Sequence, residues 1–306
     1  MHIPSSLVSL AAKALSESMD LDLMTNLVRE LIYDYDLYRA TGYRDSMSLN
    51  RRDAARQIVP DIVKAGLFNN MVSILIQFHT DGYKGRKYPI QYLKDLLREL
   101  NEIGYIYDKE NKLFIEDPSK RRTRNWGAFV KGHEYPLAFL RLDIVGNSQL
   151  VRKYRENVIQ ATYADLRKIV DASIEKRNGR VWSWEGDGGL VAFYFSDKSL
   201  LATLSGMEII NELFIYNTLH CKLGEPVKIR LAVHFGNCEY TEDPEELMKE
   251  DVIKETVQIE AKHTKPNSMT ISNTVCSKLD ASLLESFKPL SDEPQLHYCS
   301  YSIELE

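Results

Sequence analysis

The segment from Pro136 to Gly236 constrains the fold most, because its hydrophobic period changes in a fixed order. An apolar strand, PLAFLRLD, is followed by a long helix reaching about Lys176 and then by two strands turning around Glu185–Gly189. A second helix from Ser199 to His220 and a strand, VKIRLAVHFG, complete the series. Period 2 marks strands and period 3.6 marks helices. This order predicts an α+β, ferredoxin-like βαββαβ domain whose two helices cover one face of an antiparallel sheet. The other face is left free for a partner, which a homodimer would supply.

Upstream, the period is mostly helical. Leu7, Leu10, Ala11, Ala14 and Leu15 recur at helical spacing, and Met24, Leu27, Leu31 and Ile32 do so after Asp20 and Asp22. Further helical stretches span Arg52–Ala65, with Pro60 kinking or dividing it, and Met71–His79. The run IQYLKDLLRELNEIG keeps Ile90, Leu93, Leu96, Leu97 and Leu100 on one face before a hairpin turning at Lys109–Asn111. Residues 1–118 therefore read as a helical module, with a winged-helix-like hairpin at its end as the alternative. Residues 119–132, with KRRTR at 120–124, read as a solvated linker, and 133–306 as the α+β domain.

Charge and cysteine usage exclude some classes. A formal net charge of −5 argues against a surface built for nucleic acid, whose binding depends on neutralising phosphates. Acidic residues are mixed through the N-terminal helices, which favours an interaction module over base readout. No apolar run of membrane-spanning length appears and the N-terminus lacks a signal-like basic flank, so a cytoplasmic, non-membrane protein is expected. Cys221, Cys238, Cys276 and Cys299 form no C-x-x-C pair, and read as thiols in a reducing compartment.

Two short segments carry chemistry. The strand ending in Asp143 runs at once into Ile144-Val145-Gly146-Asn147-Ser148 and a helix. The backbone N–H groups of Val145 to Ser148 can face a polyphosphate at that helix start, while Asp143 neutralises an accompanying cation. Such an aspartate is as often a simple helix cap. In the second segment, VWSWEGDGGLVAFYF, three glycines surround Asp187 in a hairpin turn. The predicted topology makes that hairpin a neighbour of the first strand, which brings Asp143 and Asp187 within metal-bridging distance and suits Mg²⁺ or Mn²⁺.

Over roughly 135–280 these motifs, D-I-V-G-x-S, G-D-G and I-R-L-A-V-H-F-G, resemble the catalytic domain of class III adenylate and guanylate cyclases. The resemblance implies two metal ions on Asp143 and Asp187, supplemented by the Ile144 carbonyl. It implies attack of a ribose 3′-oxygen on the α-phosphate of a nucleoside triphosphate, releasing pyrophosphate. It also implies a head-to-tail homodimer with each site shared between chains.

Further along, EDVIKETVQIEAKHTKPNSMTISNTV lies where the family carries D-x-W-G-x-x-V-N-x-A-x-R. Asp251 matches the base-recognising acid, Gln258 replaces the ribose-orienting Asn, and Lys262 replaces the transition-state Arg. A lysine supplies charge without a planar fork, so Lys262 or another base such as Lys265 takes that role. Ser183, between Trp182 and Trp184, stands where purine cyclases read the base with Lys or Glu. Along the whole chain the sequence is similar to the bacterial anti-phage (Pycsar) pyrimidine cyclases, which implies UTP first and CTP next, with purine cyclases or a silent nucleotide-sensing module as alternatives. Arg230 is expected to pair with a local carboxylate and His234 to be a packed strand residue.

Overall fold

The computed structural model describes residues 3–42, 49–109, 111–120, 122–290 and 294–303, and the chain divides into two compact units, Met1–Ala128 and Phe129–Glu306. The first unit contains α1 (Ser5–Ser18), α2 (Leu21–Leu31), α3 (Leu37–Thr41), α4 (Arg51–Lys64), α5 (Phe68–Thr80) and α6 (Leu93–Glu102). A hairpin of β1 (Tyr105–Asp108) and β2 (Leu113–Glu116) follows. Asp20, Asp36 and Asn50 each cap a helix by accepting an N–H three residues on. Pro60 sits inside α4 without dividing it. Ile58, Val59 and Ile62 around it are fully buried, and burying such side chains, at about 1.5–3 kcal/mol each, outweighs the lost backbone donor.

The stretch read as a linker is packed where it leaves the hairpin. Glu116 is buried and accepts from the Thr123 N–H and hydroxyl at 2.7 and 2.8 Å, while its own N–H donates to the Trp126 carbonyl at 2.8 Å. Trp126 is itself fully buried. A buried carboxylate has to find donors, and Thr123 supplies them by folding the chain back. Of the segments named from sequence, Glu110 in the hairpin turn and Arg121 in the basic cluster lie outside the described residues.

The second unit carries β3 (Glu134–Ile144), α7 (Asn147–Lys153), α8 (Glu156–Glu175), β4 (Arg180–Glu185), β5 (Gly188–Phe193), α9 (Lys198–Leu219) and β6 (Ile229–Glu239). Then come α10 (Pro244–Leu247), α11 (Asp251–His263), β7 (Ser268–Ile271), α12 (Asn273–Cys276), α13 (Ala281–Leu284), β8 (Lys288–Pro289) and β9 (Cys299–Ser302). The expected βαββαβ core is present, with strand order β4-β5-β3-β6 and antiparallel pairing throughout. The sheet extends beyond it as β7-β9-β8, and β7 joins β6 in parallel, so the sheet is mixed rather than purely antiparallel. A parallel neighbour requires a crossover, which α10 and α11 provide. The single long helix expected after Asp143 is two, because Tyr154 turns extended and lays its ring against the core.

Register assigns the two faces. Ala138, Leu140, Leu142 and Ile144 of β3 join Ile229, Leu231 and Val233 of β6 in the core packed against α8 and α9. Alternation then places Phe139, Arg141 and Asp143 on the opposite face with Arg230, Ala232, His234 and Gly236. That face was expected to be free, and α11 lies across it: Val252 abuts Gly236, Glu255 reaches His234 at 3.3 Å, and Glu260 reaches Arg230 at 2.6 Å. Apolar Val252, Ile253 and Ile259 on α11 are buried, which gives the helix its own reason to dock.

Candidate active site at the end of strand β3

Asp143 lies near the end of β3, between Gly188 of β5 and Arg230 of β6 in the ladder. Gly188 is needed there, since a Cβ would come within 2.8 Å of the Leu142 carbonyl oxygen. Asp187 immediately precedes Gly188, so both candidate metal carboxylates belong to one strand end. The helix-cap alternative for Asp143 does not hold. Helix α7 is capped by Gly146 at φ +71°, with no side-chain cap bond, and Asp143 instead accepts from Arg230 at 2.7 Å.

The turn after Asp143 meets the expectation in part. The Val145 N–H donates to the Lys228 carbonyl at 2.8 Å, so it is unavailable to a phosphate. Register rather than local sequence decides this, because Val145 carries the β3–β6 pairing one step past its last rung, Ile144 opposite Ile229. The N–H groups of Gly146, Asn147 and Ser148 have no acceptor among the described residues. The Ile144 carbonyl faces the correct side. Ile229 gives its carbonyl to the Asn267 N–H at 2.7 Å and its N–H to Asn267 Oδ1, so the ladder alternation turns Ile144's own polar groups toward β5.

Three residues join the site that the sequence did not single out for it. Tyr163, on α8, donates its hydroxyl to Asn147 Oδ1, and burial, then the nearby charge of Asp187, push its pKa up. Glu260 has a side chain only 5% exposed and contacts Arg230 Nε at 2.6 Å. Its pKa is raised by burial and by Asp143, against the opposing pull of Arg230 and Arg141. Arg230 thus links Asp143 to α11, as expected of a strand arginine pairing locally. Arg141 completes the set two residues before Asp143.

Ser183 pairs with Leu190, which pairs with Arg141, so all three share the site face. The two flanking tryptophans do not stay together. A register shift between Val181 and Ser183 turns Trp182 toward Phe139 and Tyr240, at 5.4 and 5.7 Å. Trp184 falls on the helix side under Arg167, at 4.1 Å. Plain alternation would have put both rings on one face, and the bulge separates them.

On α11, Asp251, Gln258 and Lys262 are exposed, and their spacings of seven and four residues place them on one stripe. Glu260 points the opposite way, into the sheet. The stripe therefore does not converge on Asp143 of the same chain. His234 is buried as expected, with Nδ1 2.9 Å from Ser272 Oγ, and burial lowers its pKa while Glu255 opposes the shift.

The carboxylates of Asp143 and Asp187 and the Ile144 carbonyl are hard oxygen donors of the kind that could hold Mg²⁺ or Mn²⁺. Among the described residues no group of three or more His, Cys, Asp or Glu gathers to hold a metal by itself. No described helix is long and apolar enough to cross a membrane.

Comparison with known proteins finds no matching family model and no matching curated protein. Solved structures do match. The catalytic core of a rhodopsin-guanylyl cyclase with converted specificity, in complex with ATPαS, aligns at TM-score 0.47 and 16% identity, covering 56% of this chain and 98% of that one. The adenylate/guanylate cyclase/hydrolase from Silicibacter pomeroyi aligns at 0.45 and 18%, covering 56% and 99%. The guanylate cyclase domain from Catenaria anguillulae in complex with GTP aligns at 0.44 and 17%, covering 55% and 96%. All three are nucleotide cyclase domains. At these scores the likeness decides nothing about activity, and function is read from the residues themselves.

Proposed function

We propose that the second unit is a nucleotide cyclase converting a nucleoside triphosphate to its 3′,5′-cyclic monophosphate and pyrophosphate. The supporting observation is the conjunction at one strand end of Asp143, Asp187 and the open N–H groups of Gly146, Asn147 and Ser148. Carboxylates alone would repel a triphosphate, and N–H groups alone would bind it without activating anything. Together they suit a polyphosphate carried with cations.

Bound by Asp143, Asp187 and the Ile144 carbonyl, two Mg²⁺ or Mn²⁺ ions would lower the pKa of the 3′-hydroxyl and neutralise charge on the phosphates. Within the chain, Arg230 orients Asp143 and Tyr163 fixes the Asn147 amide beside the turn. Gly146 to Ser148 hold the phosphate tail with backbone donors. Ser183 faces the base, and its short hydroxyl cannot select a purine by charge. UTP is accordingly the proposed substrate and CTP the next, with the product serving as a messenger in anti-phage defence as the sequence resemblance suggests.

The exposed stripe of Asp251, Gln258 and Lys262 supports a homodimer in which it serves the partner's aspartates, Lys262 supplying charge and Gln258 orienting the ribose. The test is product formation from ATP, GTP, CTP and UTP with Mn²⁺ or Mg²⁺, resolved by mass. Cyclic UMP or cyclic CMP is expected. A purine product would discard the base assignment and retain the chemistry, and failure with all four would favour a silent nucleotide-binding module.

A further inference from the structure

Two arginines lie on the site face, and they are treated differently. Arg230 is held from both sides, by Asp143 at 2.7 Å and by Glu260 at 2.6 Å. Arg141 makes no hydrogen bond or ion pair among the described residues, and its Nε is fully buried without a partner. A guanidinium left without a partner in a folded chain is costly, so an anionic ligand that satisfies it recovers that loss. Its place indicates which ligand. The Arg141 Cα lies in the row of Leu190 and Ser183, but its guanidinium runs toward the strand end, where Nη2 lies 3.0 Å from the Cβ position that Gly188 leaves vacant. Gly188 is the ladder partner of Asp143 and the neighbour of Asp187. The planar fork is therefore set at the Gly188 rung, which is the rung of Asp143, rather than over Ser183, and the absent Cβ of Gly188 makes room for it.

Resting on the cyclase reading, we infer that Arg141 donates its guanidinium to the non-bridging oxygens of the α-phosphoryl group, from the same chain that supplies Asp143 and Asp187. In the step it serves, the 3′-oxygen forms a bond to the α-phosphorus and the 3′-hydroxyl proton passes to solvent. The bond from α-phosphorus to the bridging oxygen breaks, and pyrophosphate leaves with the electron pair. Arg141 exchanges no proton. It supplies in cis the bidentate fork that Lys262, an ammonium on the α11 stripe, cannot offer. The base is neutral and a triphosphate is strongly anionic, so a guanidinium that no carboxylate holds by a hydrogen bond favours phosphate oxygens at this position.

The experiment compares Arg141→Lys, Arg141→Met and wild type in the full-length chain. Turnover is measured with each accepted nucleotide, tripolyphosphate binding is measured by calorimetry with Ca²⁺, and thermal stability is recorded. The expected result is that Arg141→Lys binds tripolyphosphate within about threefold of wild type while its kcat falls by about a hundredfold. Arg141→Met should lose both binding and turnover and melt no lower than wild type, because it removes an unpaired buried donor. Wild-type kcat in Arg141→Met, or a loss confined to one base, would overturn the phosphate assignment. If wild type forms no product yet binds tripolyphosphate through Arg141, the cyclase reading falls and the anion contact stands; if wild type does not bind tripolyphosphate, or Arg141→Met binds it equally well, the contact falls whatever the turnover shows.

Discussion

Asp143 has two claims on its carboxylate. Arg230 takes Oδ2 at 2.7 Å, which leaves Oδ1 for a cation, and Glu260 on the far side of Arg230 lets the arginine stay neutralised if Asp143 turns to a metal. Asp143→Asn and Asp187→Asn are therefore expected to reduce product formation by about a thousandfold, the loss of several kcal/mol of charge stabilisation, while leaving the melting temperature nearly unchanged. Near-wild-type turnover in either variant refutes the metal assignment. Glu260→Ala is expected to do the reverse. It strips a half-buried arginine of one partner, so stability falls by about 1–3 kcal/mol in urea titration. His234 sets a pH effect of known sign. Its pKa is lowered below 6.5 by burial, so the folded state binds fewer protons than the unfolded one. The resulting stability is present above pH 6.5 and is lost as pH falls below it. Melting temperatures between pH 7.5 and 5 should drop in wild type, and His234→Gln should flatten that slope.

The β4–β5 hairpin shows how an element's details carry function. Trp184 pairs with Gly189, and a Cβ on Gly189 would fall 2.2 Å from the Trp184 ring, so the indole lies flat on bare backbone and anchors the helix side of the hairpin. Gly189→Ala is expected to destabilise the chain by about 1–3 kcal/mol, read from the urea midpoint, because the ring has to leave its rotamer. Because Asp187 sits two residues away, product formation should fall further than the fraction unfolded explains. Helix α11 is likewise two-sided. Val252, Ile253 and Ile259 hold it to its own sheet, and the opposite stripe of Asp251, Gln258 and Lys262 remains in solvent. Only the first of these faces needs a hydrophobic pattern; the motif comparison in the sequence singled out the second. Which strand the helix would cross was not readable there.

For the whole molecule, that exposed stripe makes an assembly prediction. If sites are completed between chains, mixing Asp143→Asn with Lys262→Ala restores one intact site in each mixed dimer, and turnover should recover to about a quarter of wild type. Each variant alone should stay inactive. No recovery would place Lys262 in the same site as Asp143 or remove it from the reaction.

The amino-acid sequence determined the local features of this protein. The alternation of period 2 and period 3.6 defined the βαββαβ core, and Asp143 before a glycine turn and Asp187 within one marked the carboxylates, because a few adjacent residues suffice to write such patterns. Tertiary structure decided what those residues face. The Val145 N–H went to Lys228, Trp182 and Trp184 separated at a bulge, α11 covered a sheet face expected to be open, and Arg230 tied Asp143 to Glu260. Each of these depends on which residues stand opposite one another in the ladder or across a helix crossing. A one-residue change of register reverses every side chain, and the partners involved are separated by tens of residues along the chain.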